Sequence, residues 1–240
     1  YLSKADGKAI AYADIKGNNA GKADVTLLFS ERPCAAAGVF TQNKFSAAPV
    51  HWCKEVIAGG RAQAVVVNSG NANAGTGDQG YRDAAQMAAL AAEHLGLQRH
   101  DVLVASTGVI GVPLPMDRMR NGIAASKLSA DGSRDFAVAI MTTDTVPKAR
   151  AVRVKAGEHV YSVGGVAKGS GMVQPDMATV FGFLTTDADV EPQLLAALLR
   201  AAGDDSFNMI DVDMDTSTSD TMLLFASGAA GGPRLTADCE

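Results

Sequence analysis

The chain has 240 residues, enough for one large domain or two small ones built around a sizeable core. It is 47% hydrophobic and 20% charged, the balance of a soluble globular protein rather than a disordered or fibrous one. A net charge of −5 without a basic run argues against nucleic-acid or anionic-membrane partners, and no apolar stretch approaches the roughly 18 residues of a membrane span.

The opening residues Tyr1 to Lys8 do not read as a signal peptide, and the absence of an initial Met leads us to expect further sequence upstream. Cys34, Cys53 and Cys239 are scattered, odd in number and form no C-x-x-C pair. They support neither a disulfide framework nor a zinc site, so no metal is expected and a reducing cytoplasm is the simplest location.

Val25 to Ser30 is rich in β-forming residues and predicts a strand, and Gly38 to Thr41 suggests another. Ala64 to Asn68 predicts a short buried strand that runs into a glycine-rich loop, Ser69 to Gly80. From Tyr81 to Leu95, Ala84, Met87, Ala88, Ala91 and Leu95 recur at helical spacing and predict an amphipathic helix. Val102 to Ala105 predicts a third strand, followed by a polar loop, Ser106 to Gly111. Helices are expected over Met116 to Ala125 and Ser133 to Met141, and a hairpin over Val152 to Val163 with its turn at Ala156-Gly157. Val180 to Thr185 predicts a strand; Pro192 suits the first turn of a helix that Gly203 would end. Thr221 to Ala226 predicts the last strand. The class is α/β with mixed sheets and flanking helices, not a regular βαβ alternation.

Four polar stretches can carry chemistry. Asn68 to Gly77 lacks the spacing of a dinucleotide fingerprint or a P-loop; it reads as a tight connection, and as scaffold rather than ligand cradle. Ser106-Thr-Gly-Val-Ile-Gly111 is an ordinary glycine turn by spacing, though a strand ending in Thr-Gly also presents a hydroxyl and a backbone N–H together, as an oxyanion hole requires. Met141-Thr-Thr-Asp-Thr-Val-Pro-Lys148 places three hydroxyls around Asp144, suited to capping a turn or to orienting a small polar ligand.

The fourth is Lys168-Gly-Ser-Gly-Met-Val-Gln-Pro-Asp-Met-Ala-Thr179. On pattern alone Thr179 is a β-branched residue opening an apolar strand. As a nucleophile it needs a base, and none of His51, His94, His100 or His159 has a recognisable catalytic setting. Scission of the Ala178–Thr179 bond would supply one: the new α-amine, with a reference pKa of about 7.7–8.0.

Taken together and in order, these stretches resemble the ornithine acetyltransferase family of arginine biosynthesis, also called glutamate N-acetyltransferase. The resemblance rests on Ala36-Ala-Gly-Val-Phe-Thr41, Asn68-Ser-Gly-Asn-Ala-Asn73, Ser106 to Gly111 with Pro113-Leu-Pro-Met116, and Thr142-Thr-Asp-Thr-Val-Pro-Lys148. It continues through Lys168-Gly-Ser-Gly-Met172, Pro175, Met177-Ala-Thr179, Ser206-Phe-Asn208, Asp215-Thr-Ser-Thr218 and Asp220.

The resemblance implies a layered fold with an N-terminal-nucleophile type of site. It implies a precursor that cuts itself between Ala178 and Thr179. Residues 1–178 would form an α chain and residues 179–240 the first part of a β chain. Thr179 would be the nucleophile, Thr107 and Gly108 the oxyanion hole, and Thr142, Lys168 and Thr179 the substrate-binding residues. Lys168 would meet the α-carboxylate. The implied reaction moves acetyl from N2-acetylornithine to glutamate through an acetyl-threonine ester, without a cofactor. Acetyl-CoA is a second donor in some members, and the implied assembly is an α2β2 heterotetramer in the cytoplasm.

Gly75, Met214 and Ser219 stand where many members have cysteine, glycine and asparagine; none of these departures removes a group named above. Members of that family run on well past the position of Glu240, and the residues that meet the substrate amine are expected there. Two other classes compete. An amidohydrolase or aminopeptidase with the same nucleophile would pass its acyl group to water. A small-ligand binding protein would use the glycine-rich loops without cleavage or acylation.

Overall fold

The computed structural model describes residues 6–11, 23–174 and 180–238, the first of these as backbone alone. Its strands are β1 (Asp6–Ala11), β2 (Val25–Phe40), β3 (Arg61–Asn71), β4 (Val102–Val109), β5 (Lys127–Leu128), β6 (Lys148–Ala156), β7 (His159–Lys168), β8 (Phe181–Thr186) and β9 (Thr221–Ala226). Its helices are α1 (Ala48–Ile57), α2 (Gly77–Leu95), α3 (Met116–Ala125), α4 (Ser133–Ala139) and α5 (Pro192–Asp204). Among the described residues the strands form one sheet in the order β4-β3-β2-β9-β8-β7-β6, with β1 pairing to β2 and to β5. The pairs β3–β4 and β8–β9 are parallel; the others are antiparallel.

Side-chain alternation assigns the two faces of this sheet. Leu223 and Phe225 of β9, Phe181 and Phe183 of β8 and Ala36 of β2 point into the larger core. There they meet Trp52 and Cys53 of α1, Met87 and Ala91 of α2, Met119 and Ile123 of α3 and Phe136 of α4. The alternate residues Met222 and Ala226 of β9, Leu184 of β8 and Ala37 of β2 point the other way, onto Leu195 and Leu199 of α5. Successive strand residues face opposite sides, so β8 and β9 are covered on both and read as continuous apolar runs. The result is three layers, with helices on both faces of a mixed sheet.

The elements differ from the sequence expectation where polar residues continue a strand. The two predicted strands near the N-terminus are one, β2, whose register shifts between Phe29 and Cys34. Before the shift β2 pairs with β1, and after it with β9. The predicted loop starting at Ser106 begins instead as strand: Asn68, Ser69, Gly70 and Asn71 of β3 pair in register with Ser106, Thr107, Gly108 and Val109 of β4. The hairpin is longer than its apolar part, running from Lys148 to Lys168. β6 lies at the open edge of the sheet, exposed along its whole length, and its alternating Lys and Arg residues discourage edge-to-edge association.

Candidate active site

The ends of β3, β4 and β7 and the segment entering β9 converge on one cavity of about 490 Å³. One wall is Ser69 and Gly70 at the end of β3 with Thr107 and Gly108 at the end of β4. A second is Thr142, Thr143 and Lys168, and a third is Ser217, Thr218 and Ser219 before β9. The sequence-derived candidates Thr107, Gly108, Thr142 and Lys168 therefore face one space, although up to 61 positions separate them in the chain. A second, apolar cavity of about 320 Å³ runs along β6 and β7 and contains none of these candidates.

Thr107 and Gly108 sit on a rigid floor. Gly108 has φ 132°, and a Cβ built there would lie 2.2 Å from the Gly70 carbonyl carbon and 2.6 Å from the Asn71 nitrogen. Only glycine allows the two strand ends to approach so closely. The asparagines of the first loop brace that floor. Asn68 Nδ2 donates to the Asn71 carbonyl at 2.9 Å, and Asn71 Nδ2 donates to the Val112 and Pro113 carbonyls at 3.1 Å each. The backbone N–H groups of Ala72 and Gly111 donate to Val109 and Ala74 carbonyls at 2.9 and 2.8 Å, stitching the loop after β3 to the loop after β4.

Lys168 ends β7 with only 4% of its surface exposed. Its Nζ donates to Thr142 Oγ1 at 3.3 Å and lies 5.4 Å from the centre of the Phe181 ring. Burial pushes the Lys168 ammonium below its ordinary pKa; the nearby carboxylates of Asp144 and Asp220 oppose that shift without cancelling it. Lys168 is the one charged side chain lining the cavity within the described residues, so the space favours a ligand that brings negative charge to that end.

The third wall is held by the connection between β2 and α1. Thr41 Oγ1 donates to the Ser217 carbonyl at 2.8 Å, and the Ala47 N–H donates to the Thr218 carbonyl at 2.8 Å. Thr218 Oγ1 and Ser219 Oγ lie 3.1 Å apart, and Asp220 accepts the Val180 N–H at 2.8 Å. Ala178 and Thr179, the expected cleavage pair, lie outside the described residues. The next described residue, Val180, is buried and tied to this wall. Ser69 and Gly70, read from sequence as scaffold, line the cavity, as do the hydroxyls at 217–219, to which the sequence reading gave no role. The run Asp215-Thr-Ser-Thr-Ser-Asp220 was the available signal, but hydroxyl-rich runs equally make turns.

Among the described residues, no group of three His, Cys, Asp or Glu side chains is placed to hold a metal ion, and no helix is long and apolar enough to cross a membrane. Cys53 belongs to the core: its thiol donates to the Val104 carbonyl at 3.0 Å, and burial pushes its pKa up to about 12.

The sequence profile of the ArgJ family matches residues 8–239. The chain belongs to the ArgJ family. It is 59% identical over 227 residues to the arginine biosynthesis bifunctional protein ArgJ of Symbiobacterium thermophilum, covering 94% of this chain and 56% of that protein. This ArgJ chain thus spans little more than half the length of the curated relative it matches. The crystal structure of ornithine acetyltransferase complexed with ornithine from Mycobacterium tuberculosis superposes with a TM-score of 0.62 at 38% identity, over 72% of this chain and 92% of that one. The L-aminopeptidase D-Ala-esterase/amidase of Ochrobactrum anthropi, a variant of the Ntn-hydrolase fold, aligns with a TM-score of 0.51 at 14% identity, over 93% of this chain and 72% of that one. That likeness is of fold alone. The expected ornithine acetyltransferase-like layered fold is the one observed.

Proposed function

We propose that this chain carries the nucleophile and the oxyanion and carboxylate subsites of an acetyltransferase acting in arginine biosynthesis. It moves acetyl from N2-acetylornithine to glutamate. The observation that carries the reading is the convergence of Thr107, Gly108, Thr142 and Lys168 on one cavity whose third wall anchors Val180, the residue bonded to Thr179.

In this reading the Thr179 hydroxyl attacks the acetyl carbonyl. The Thr179 α-amine, freed by scission after Ala178, takes the hydroxyl proton. Thr107 and the Gly108 backbone N–H stabilise the oxyanion. The amide C–N bond breaks, ornithine leaves with the proton, and the acetyl group remains on Thr179 as an ester. The glutamate amine then attacks that ester and restores an amide, while Lys168 and Thr142 hold the carboxylate of each substrate in turn.

The split into residues 1–178 and 179–240 gains support from chain lengths. Some 72% of this chain fills 92% of the ornithine acetyltransferase chain from Mycobacterium tuberculosis, so that chain is shorter than this one, whereas the curated relative is much longer. An α2β2 assembly in the cytoplasm and acetyl-CoA as a second donor complete the proposal.

Intact mass of the full-length protein tests it. The wild type should appear as two fragments meeting at Ala178/Thr179, and Thr179→Ala as one. N-acetylornithine alone should add one acetyl group to the fragment beginning at Thr179, and glutamate should discharge it as N-acetylglutamate. Release of acetate at a rate indifferent to glutamate would assign the chain to the hydrolases instead.

A further inference from the structure

Asp144 is absent from the cavity lining, yet it ties together two residues that are in it. Its side chain is 1% exposed and its carboxylate receives three donors. Oδ1 accepts Lys148 Nζ at 2.6 Å and the Gly169 N–H at 2.9 Å; Oδ2 accepts the Thr142 N–H at 3.4 Å. Gly169 directly follows Lys168, and Lys168 Nζ closes the ring on Thr142 Oγ1 at 3.3 Å. The loop after α4 and the end of β7 are thereby locked to one another through a single buried carboxylate. No uncharged side chain of this size accepts at both ends. Asparagine would turn an NH₂ toward either the Thr142 N–H or the Lys148–Gly169 pair, setting donor against donor.

We propose that Asp144 is a positioning residue that holds Lys168 and Thr142 in one frame for the substrate carboxylate. The inference rests on the reading of Lys168 and Thr142 as substrate-binding residues. Lys148, 43% exposed at the edge of the sheet, shares the Asp144 charge, so the carboxylate does not act on Lys168 alone. The charged groups that act on Lys168 are Asp144, Asp220 and Lys148.

Steady-state kinetics of the full-length protein, with Asp144→Asn, Lys168→Met and Lys148→Met measured side by side, tests this. Asp144→Asn should raise the KM for glutamate about tenfold with kcat changed less than about threefold, as expected when binding common to ground and transition states is lost. Fragment masses should match wild type, and the melting temperature should fall by no more than a few degrees, leaving the protein folded at the assay temperature. Loss of the Lys168 charge at high pH should give kcat/KM an alkaline limb, and Lys148→Met, which removes a positive charge near Lys168, should move that limb to higher pH. If Lys168→Met raises KM and Asp144→Asn does not, the positioning role is wrong while the site stands. If Lys168→Met leaves KM unchanged, the site reading itself fails. Loss of cleavage and a lowered kcat with KM unchanged in Asp144→Asn, with an unmoved limb in Lys148→Met, would mean that Asp144 only supports the fold.

Discussion

The backbone N–H of Val180 donates to Asp220 Oδ1 at 2.8 Å, fixing the start of β8 to the wall of the cavity. Asp220 is 1% exposed and directly follows Ser219, which lines that wall. Consecutive Cα atoms are about 3.8 Å apart, so whatever holds Val180 restricts Thr179. The proposed self-cleavage requires the Thr179 hydroxyl near its own preceding carbonyl, and loss of this anchor should slow it. Asp220→Ala should reduce the rate of fragment appearance about ten- to a hundredfold, the worth of one charged hydrogen bond. Asp220→Asn keeps an acceptor and should fall in between. Intact mass over time after synthesis is the measurement; equal cleavage rates in all three proteins would remove Asp220 from maturation.

Thr107 and Gly108 make separable predictions. Thr107→Val preserves shape and removes one hydroxyl at the cavity wall. If the proposed oxyanion role holds, it should lower kcat about 10²–10³-fold with little change in KM or melting temperature, because such a donor acts mainly on transition-state charge. Gly108→Ala forces a Cβ to within 2.2 Å of the Gly70 backbone at φ 132°. Strain and overpacking together should cost about 2–6 kcal/mol of stability, visible as a lower urea midpoint. Equal loss of stability in both variants would contradict a catalytic hydroxyl at Thr107.

Much of this site was legible as residue types but not as geometry. Thr107-Gly108 stood out because a hydroxyl beside a glycine at a strand end is a donor pair. Its β-strand character was hidden because Ser106, Thr107 and Gly108 lack the apolar signal that marks a buried strand; pairing with Asn68 to Asn71 supplies the order instead. Lys168 was missed as a strand residue for a similar reason. The predicted hairpin stopped at Val163, whereas β7 pairs with β8 through to Lys168↔Phe181, which carries the lysine into the core. The two faces of β8 and β9 could not be separated by pattern, since runs buried on both sides lose the alternation that distinguishes them. α2 begins at Gly77 rather than at the predicted Tyr81; Gly77 and Gly80, which propensity argues against, hid its first turn.

Asp144 should also leave a mark on acid stability. Burial alone would raise its pKa; the Lys148 and Gly169 hydrogen bonds and the charges of Lys148 and Lys168 outweigh it, and the carboxyl lies below its ordinary value. A carboxyl lowered by folding stabilises the native state above its unfolded pKa, about 3.9, and that contribution is lost as pH falls through the folded value. The stability gap between wild type and Asp144→Asn should therefore be constant at neutral pH and narrow below about pH 4. Urea midpoints from pH 7 downward measure it. A gap that persists unchanged into acid would mean that the carboxylate charge contributes nothing.

Lys168 makes the opposite prediction at the alkaline end. Its pKa is lowered in the folded chain, first by burial, so the native state sheds this proton before the unfolded chain does. Between the lowered value and the ordinary one near 10.4, the unfolded state binds more protons, and stability gains from rising pH. Substrate binding moves the other way. In the proposed site, the Lys168 charge that would attract a carboxylate disappears as pH rises through the lowered pKa. The profile of kcat/KM reports groups of the free enzyme, so it should fall on an alkaline limb lying below pH 10.4. Lys168→Arg keeps the charge at every accessible pH, because a guanidinium does not deprotonate there. Its geometry differs, so a lower maximum is expected, but the alkaline limb should vanish. A limb of unchanged position in Lys168→Arg would assign it to another group and leave Lys168 without a charge-dependent part in binding.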